Sequence, residues 1–313
     1  MYLFNSMTML IMVMIMNLIS VAFLTLFERK IMGLFHYRKG PNKNSLMGIF
    51  QPFNDAIKLM NKEYFFPIKS SFYLYIISPS IMFILIMMIW MIYPFYTNLL
   101  MFDYSLLYFL CLMSMGVYSL ILAGWSSNSS FSMIGSIRSI AQSISYEVVF
   151  SLVILIMLNN INTLNLFYLM NFNKFFNFSM IYFPLMMIMI ISMLAEINRT
   201  PFDLSEGESE LVSGFNIEYS SSKFILIFLS EYSSIIFMMM LFCFMFLLNL
   251  NLMFYNKIIL MIFFITWIRM TFPRMRYDYL MKFCWMYLLP LTLLLYMNYF
   301  INMKFFFDQI FIS

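Results

Sequence analysis

Residues 224–248 read FILIFLSEYSSIIFMMMLFCFMFLL, and Glu231 is the one Asp, Glu, Lys or Arg among them. As a helix this stretch would run about 37 Å, longer than the ~30 Å hydrocarbon core of a bilayer. In water it would have to be enclosed by protein on every side, whereas in lipid a helix satisfies its own backbone and needs no cover. The rest of the chain decides between the two. Hydrophobic residues make up 63% of the 313 residues, charged residues 10%, and mean hydropathy is +0.87. Soluble domains are roughly 45–50% apolar and 25% charged, so the sequence predicts a polytopic membrane protein.

Seven further stretches are long and apolar enough to cross. The expectation is an all-α integral membrane protein with eight transmembrane helices, near 2–27, 72–94, 104–125, 134–158, 179–196, 224–248, 253–270 and 283–301. No long polar block separates them, so residues 1–313 read as a single polytopic membrane domain. An even count puts both termini on one side. Fifteen of the 18 Lys and Arg residues fall in the loops after spans one, three, five and seven, or at their edges, against Lys174, Lys257 and Lys304 on the other side. Basic loops stay on the side of synthesis. These long polar loops therefore face the cytoplasm, or the matrix if the chain is mitochondrial.

The first of these loops contains an amphipathic segment near 44–63. Leu46, Ile49, Phe50, Phe53, Ile57 and Met60 recur at helical spacing, with Gln51, Asn54, Asp55, Lys58 and Lys62 on the other face. Such a helix is too polar to span and should lie in the interface, started or kinked by Pro52. A surface anchor and the wall of an entrance for a lipid-soluble ligand both fit that periodicity.

The composition is also biased toward residues with A/T-rich codons: 39 Phe and 36 Met stand against 8 Gly. This points to an organellar gene read with a code rich in Met codons, and no basic, Ser-rich transit peptide precedes the first span. Cys111, Cys243 and Cys284 sit alone in apolar segments, and His36 is the only histidine. That stock assembles no Cys-x-x-Cys pair, bis-His haem site or His-rich metal site. Electrons for any redox chemistry would come from elsewhere.

Carboxylates are few, 14 in all, and unevenly placed. Glu147 follows Arg138 by nine residues, about 13 Å along a helix, and continues a polar stripe with Ser139, Ser143 and Ser151. Glu231 has Ser230, Ser233 and Ser234 beside it, and Glu196 ends span five. An ionisable residue at membrane depth marks a functional site by default; an interhelical tie through the serines is the alternative. The segment EINRTPFDLSEGESELVSGFN (196–216) adds Asp203, Glu206, Glu208 and Glu210, with Glu218 just beyond. Pro201, Gly207 and Gly214 should make it an irregular turn. Clustered carboxylates lose their protons in coupled steps, so a proton-sensitive switch, a cation site and a solvated loop all fit. The cation reading lacks calcium-loop spacing.

Five segments carry a resemblance. AEINRTPFDLSEGESELVSGFNIEY (195–219), GSIRSIAQSISYEV (135–148), ERKIMGLFHYRKGPN (28–42), QPFNDAIKLMNKE (51–63) and WIRMTFPRMRYDYLM (267–281) resemble the signature segments of the subunit 1 family of NADH:ubiquinone oxidoreductase, respiratory complex I. They occur in the family's order and cover essentially the whole chain. The resemblance implies a multi-pass subunit of the mitochondrial inner membrane, odd-numbered loops facing the matrix, at the junction with the peripheral arm. It implies ubiquinone as substrate, membrane lipids and the other membrane-arm and peripheral-arm subunits as partners, and no nucleic acid. NADH, FMN and iron–sulfur clusters would belong to partner subunits, with no cofactor or metal on this chain.

Residue by residue, the resemblance implies that Glu28, Arg29, Arg38, Asp55, Lys58, Arg274 and Arg276 are charges of the quinone chamber or its loops. Glu147, Glu196, Asp203, Glu206, Glu208, Glu210, Glu218 and Glu231 would form the acidic path that couples quinone reduction to proton translocation. His36, Asn54, Ser130 and Tyr279 depart from the residues usual at those places. Rival readings are an independent proton or cation transporter, the related subunit of membrane-bound hydrogenases and a structural scaffold. No internal repeat of the kind transporters often carry is evident.

Overall fold

The computed structural model describes residues 2–95, 102–159, 161–175, 178–204, 207, 214–247 and 253–312. Among these the secondary structure is helical. The elements are α1 (Tyr2–Phe35), α2 (Gln51–Met60), α3 (Phe72–Ile89), α4 (Ser105–Ser126), α5 (Ser130–Asn159), α6 (Leu166–Phe175), α7 (Phe178–Ile181), α8 (Phe183–Glu196), α9 (Ser221–Phe246), α10 (Met253–Thr271), α11 (Tyr277–Lys282) and α12 (Leu289–Ile312). A π-helical turn, Phe283–Leu288, joins the last two.

Among the described residues seven helical stretches are long and apolar enough to cross a membrane: Phe4–Phe35, Phe72–Ile92, Ser105–Ser126, Ser130–Asn159, Ser221–Phe246, Met253–Thr271 and Tyr277–Asn302. The expected fifth span is split. Its apolar stretch forms the four-residue α7 and then the 14-residue α8, with Tyr182 between them as a turn. Pro184, in the first turn of α8, has no N–H to carry the ladder back across Tyr182.

Other boundaries shifted for local reasons. α1 continues eight residues past the expected end at Phe27, so Glu28, Arg29 and Lys30 are helical. The amphipathic helix is shorter than 44–63 at both ends. Ser45, Met47 and Gly48 have φ of +54°, +57° and +81°, which no α-helix accommodates, and Pro52 sits in the first turn of α2, where its missing N–H costs nothing. The helix α6, in a loop on the sparsely basic side, was not foreseen from the sequence.

α9 and α5 form the interior. About two thirds of the apolar window of α9 and 56% of that of α5 are buried, against 22% for α1 and α10. α9 packs against α1, α3, α6 and α10, and α5 against α4, α8 and α12. The helix with Glu231 is thus the most enclosed, and more of the flanking helices is exposed.

Apolar burial cannot drive helices together in lipid, so close packing must. α4 and α5 meet at Gly124, where an added Cβ would collide with the side chain of Ser136. On the residue before Ser136, a Cβ on Gly135 would stand 3.0 Å from Gly214 Cα, which seats the loop before α9 directly on α5. That loop is further held by Tyr219. Its hydroxyl lies 3.0 Å from Ser78 Oγ and 3.1 Å from Ser126 Oγ, donates to Ala123 O at 3.2 Å, and its ring stacks on Tyr75 at 4.5 Å. Burial raises the titration of this phenol above its ordinary value, against the hydroxyls of Ser126 and Ser78, which lower it.

The Gly124 contact has a direct test. Gly124→Ala should destabilise the protein by about 1–3 kcal/mol, the usual cost of overpacking, read as a lower thermal midpoint in detergent. Adding Ser136→Gly, which removes the colliding atoms, should restore part of that loss.

Candidate functional site

The C-terminal parts of α1 and α10, the segment after α8 and the middle of α9 converge on Glu28. Counted from Tyr2, Glu28 lies about 39 Å along α1, at the far end of that span, and its residue is only 4% exposed. Tyr232 Oη donates to Glu28 Oε2 at 2.9 Å, Arg269 Nη1 at 3.3 Å, and Arg199 Nη1 stands 3.9 Å away. The Arg199 guanidinium also lies over the Tyr232 ring, 4.3 Å from its centroid, a cation–π arrangement. Burial opposes the Arg199 charge, but Glu28 and then Tyr232 and Glu231 more than offset it, so the group titrates above its ordinary value and stays charged.

Arg269 occupies the last turn of α10, and Arg199 follows the end of α8 by three residues. Both positions face the partial negative charge of helix C-termini. Local sequence thus explains why cations sit there. It does not explain why they meet at Glu28, which is 171 residues from Arg199 and 241 from Arg269.

The segment after α8 is clamped from three directions. Gln142 of α5 donates from Nε2 to Ala195 O at 2.9 Å and to Phe202 O at 2.7 Å. Met275 N donates to Pro201 O at 2.9 Å, and Arg274 Nη2 is 3.3 Å from Asp203 Oδ2. The turn is irregular, as expected, with a cis Thr200–Pro201 bond.

This clamped segment walls a cavity of about 230 Å³. Its polar side presents Glu196, Arg199, Asp203, Glu231, Tyr232 and Arg269, and its apolar side comes from α3 and α4, including Met82 and Leu112. Glu196 Oε2, Asn198 Oδ1 and Thr200 Oγ1 are buried and make no hydrogen bond among the described residues, although all three residues line the cavity. Buried polar atoms of this kind are satisfied by water or a ligand. The volume holds several water molecules at ~30 Å³ each. Among the described residues no group of three or more His, Cys, Asp or Glu side chains is arranged to hold a metal.

The expected site residues divide. Glu196, Asp203 and Glu231 line the cavity, and Glu28 lies behind its Arg199–Arg269 wall. Glu147 does not line it; Ser143, one turn earlier on α5, does, and Glu147 is close enough to interact electrostatically with Glu196. Glu218 does not line the cavity; its carbonyl accepts from Tyr75 Oη. Glu206, Glu208 and Glu210 lie outside the described residues.

Arg29 pairs with Asp55 of α2, which also accepts from Gln51 Nε2 at 2.9 Å. Arg29 and Arg38 line a separate concavity on the loop side of α1. Lys58 is exposed on α2, and Arg276 makes a surface pair with Asp278 at 3.8 Å. Among the four departures, His36 lines that same second concavity, Asn54 and Tyr279 are exposed, and Ser130 opens α5.

The serines do not tie the helices together. Ser230, Ser233 and Ser234 donate to the carbonyls of Ile227, Ser230 and Glu231 in their own helix, at 2.6, 3.0 and 2.6 Å, a common fate of helical serine. Arg199, Arg269, Tyr232 and Gln142 were not singled out as site residues. Only the placement of Arg199 and Arg269 beside span ends, and of one amide, Gln142, inside an apolar span, hinted at them.

Comparison with known proteins places these features in context. The model of a family described as NADH dehydrogenase matches residues 8–300. The chain is 53% identical over 266 residues to NADH-ubiquinone oxidoreductase chain 1 of Locusta migratoria, covering 84% of this chain and 85% of the locust protein. It is 49% identical over 269 residues to the protein of that name from Aedes aegypti, covering 84% and 85%. Over 287 residues it is 46% identical to that of Apis mellifera ligustica, covering 87% and 89%.

Removing one partner of a buried ion pair leaves the others desolvated and uncompensated. Glu28→Gln should therefore cost about 3 kcal/mol of stability. Tyr232→Phe, which deletes one hydrogen bond to a charged group, should cost about 1.5–3 kcal/mol. Thermal midpoints of the two variants and the double variant in detergent check both, and the double variant should lose less than the sum.

Proposed function

The chain belongs to the NADH dehydrogenase family, and from that premise we propose that it is the chain 1 membrane subunit of a proton-pumping NADH:ubiquinone oxidoreductase. In this reading it forms the quinone access chamber and an acidic path that couples quinone reduction to proton translocation. It works as part of an oxidoreductase and carries no redox centre of its own. The observation that carries the reading is the cavity in which Glu196, Asp203 and Glu231 share walls with Arg199 and Arg269.

The physics of such a cavity suits coupling. Two unit charges 4 Å apart interact by about 1 kcal/mol in water but by about 4 kcal/mol at an effective dielectric of 20. A charge change at one wall is therefore felt by its neighbours. The unpartnered oxygens of Glu196, Asn198 and Thr200 supply positions for ordered water along which a proton or only its field can pass. Glu147 extends the path along α5, and Glu206, Glu208, Glu210 and Glu218 belong to its loop side. Glu28, Arg29, Arg38, Asp55, Lys58, Arg274 and Arg276 are the charges of the chamber and its loops.

The same reading completes the architecture. α7 and α8 together make the eighth crossing, α2 lies in the membrane interface, and residues 1–313 form one polytopic domain. The chain sits in the mitochondrial inner membrane with its basic loops in the matrix, facing the partner subunits that hold NADH, FMN and iron–sulfur clusters. The concentration of Lys and Arg in those loops supports that orientation.

In the intact complex, Glu196→Gln and Glu231→Gln should each lower coupled ubiquinone reduction by about a hundred-fold, the lower range for a lost proton-transfer group. Electron transfer from NADH to a soluble artificial acceptor should stay unchanged, since its centres lie in partners. Normal quinone turnover with normal proton translocation in both variants would overturn the coupling role.

A further inference from the structure

Gln142, on α5, is wholly buried. It does not line the cavity of Glu196 and Glu231, although its neighbour Ser143 does. Its amide nitrogen reaches across to the segment after α8 and donates to two carbonyls, Ala195 O at 2.9 Å and Phe202 O at 2.7 Å. Two acceptors on one nitrogen fix which way the amide points, since its own oxygen in that place would face both carbonyls with no proton to offer. In that orientation Gln142 Oε1 is buried and makes no hydrogen bond among the described residues.

Neither carbonyl relies on this amide for a partner. Ala195 O also accepts from Asn198 N at 3.2 Å, and Phe202 O from Leu204 N at 3.0 Å. A buried amide that leaves its own oxygen unmet in order to reach carbonyls already met adds little stability, and an apolar side chain of similar shape would strand no polar group. What the amide supplies is geometry. It ties together the two ends of residues 195–202.

Between those ends lie Glu196, Asn198 and Thr200, which line the cavity with buried oxygens that lack a partner. The segment has further anchors: Arg199 to Glu28, Pro201 to Met275 and Asp203 to Arg274. All three hold its later part. Gln142 reaches the earlier part, at the residue before Glu196. With that tie cut the turn stays attached, but the Glu196 carboxyl loses its fixed place among the groups it faces. These are Glu147 of α5, Arg199 and Asp203 of its own segment, Glu231 and Tyr232 of α9, and Arg269 of α10.

We propose that Gln142 is a positioning residue of this cavity: by bridging the carbonyls of Ala195 and Phe202 it sets where the Glu196 carboxyl stands, and it acts on turnover through Glu196. The proposal rests on the reading of the cavity as the coupling site.

The test uses the intact complex in phospholipid vesicles with a short-chain ubiquinone. Gln142→Met keeps the length of the side chain and removes both donors. It should lower kcat for ubiquinone reduction by about ten-fold, within the cost of a small misplacement, and leave KM unchanged. Reduction of a soluble artificial acceptor by NADH should keep its rate, which shows that the complex has assembled. Gln142→Met combined with Glu196→Gln should be no slower than Glu196→Gln alone, because two residues that act as one unit do not add. A normal kcat in Gln142→Met, a change confined to KM, or losses that multiply in the double variant overturn the proposal. Normal turnover in Glu196→Gln sinks the coupling reading and this proposal with it, whereas slow Glu196→Gln beside normal Gln142→Met sinks this proposal alone. Should Gln142→Met not assemble, Gln142→Asn, one methylene too short to reach both carbonyls, takes its place in the same comparisons.

Discussion

Glu28 is met by Tyr232 at 2.9 Å, by Arg269 at 3.3 Å and by Arg199 at 3.9 Å, three groups drawn from α9, from α10 and from the segment after α8. Taking a carboxylate out of water costs several kcal/mol even after relaxation. That cost is offset only when the compensating groups arrive together. α1, α9, α10 and the segment after α8 are therefore placed jointly, around one charge, in a part of the molecule where apolar burial has little power to choose between arrangements.

The acidic segment depends on that arrangement. Arg199 is committed to Glu28 and Tyr232, so the residues on either side of it are held close to α9. Gln142 then takes the carbonyls of Ala195 and Phe202, and Asp203 meets Arg274. What remains between this clamped turn and the apolar walls of α3 and α4 is the cavity. Its carboxylates, Glu196 and Glu231, come from different helices and face two arginines that another carboxylate holds in position. A site of this kind responds to charge at its edges because its fixed groups cannot move away to screen the change.

Charges on the first loop serve a different surface. Arg29 reaches Asp55 on α2, and Arg38, Lys39 and His36 turn outward around a glycine-built fold-back. The quinone-chamber residues implied by the family resemblance thus occupy several places in this chain: some behind the cavity wall, some on the lip of the first loop, and Lys58 and Arg276 on exposed surface. α1 carries Glu28 and Arg29 on successive residues, one behind the cavity wall and one on the lip.

Composition and the length of apolar runs determined the all-helical, membrane-crossing character of this protein, because a bilayer imposes one length and one way of satisfying the backbone. The 25-residue run around Glu231 announced a span, and the acidic segment with its Pro and Gly residues announced an irregular turn. Glycine and proline placed the interruptions less clearly: the break at Tyr182 and the late start of α2 follow from Pro184, Gly48 and Pro52, yet periodicity alone ran through them. What only the tertiary structure decided was partnership. Glu28 with Arg199 and Arg269, Asp203 with Arg274, and Gln142 with two carbonyls join residues tens to hundreds of positions apart. No local pattern encodes those pairings, because each depends on which helix ends meet, and that was settled by close packing and by the need of a few buried charges for one another.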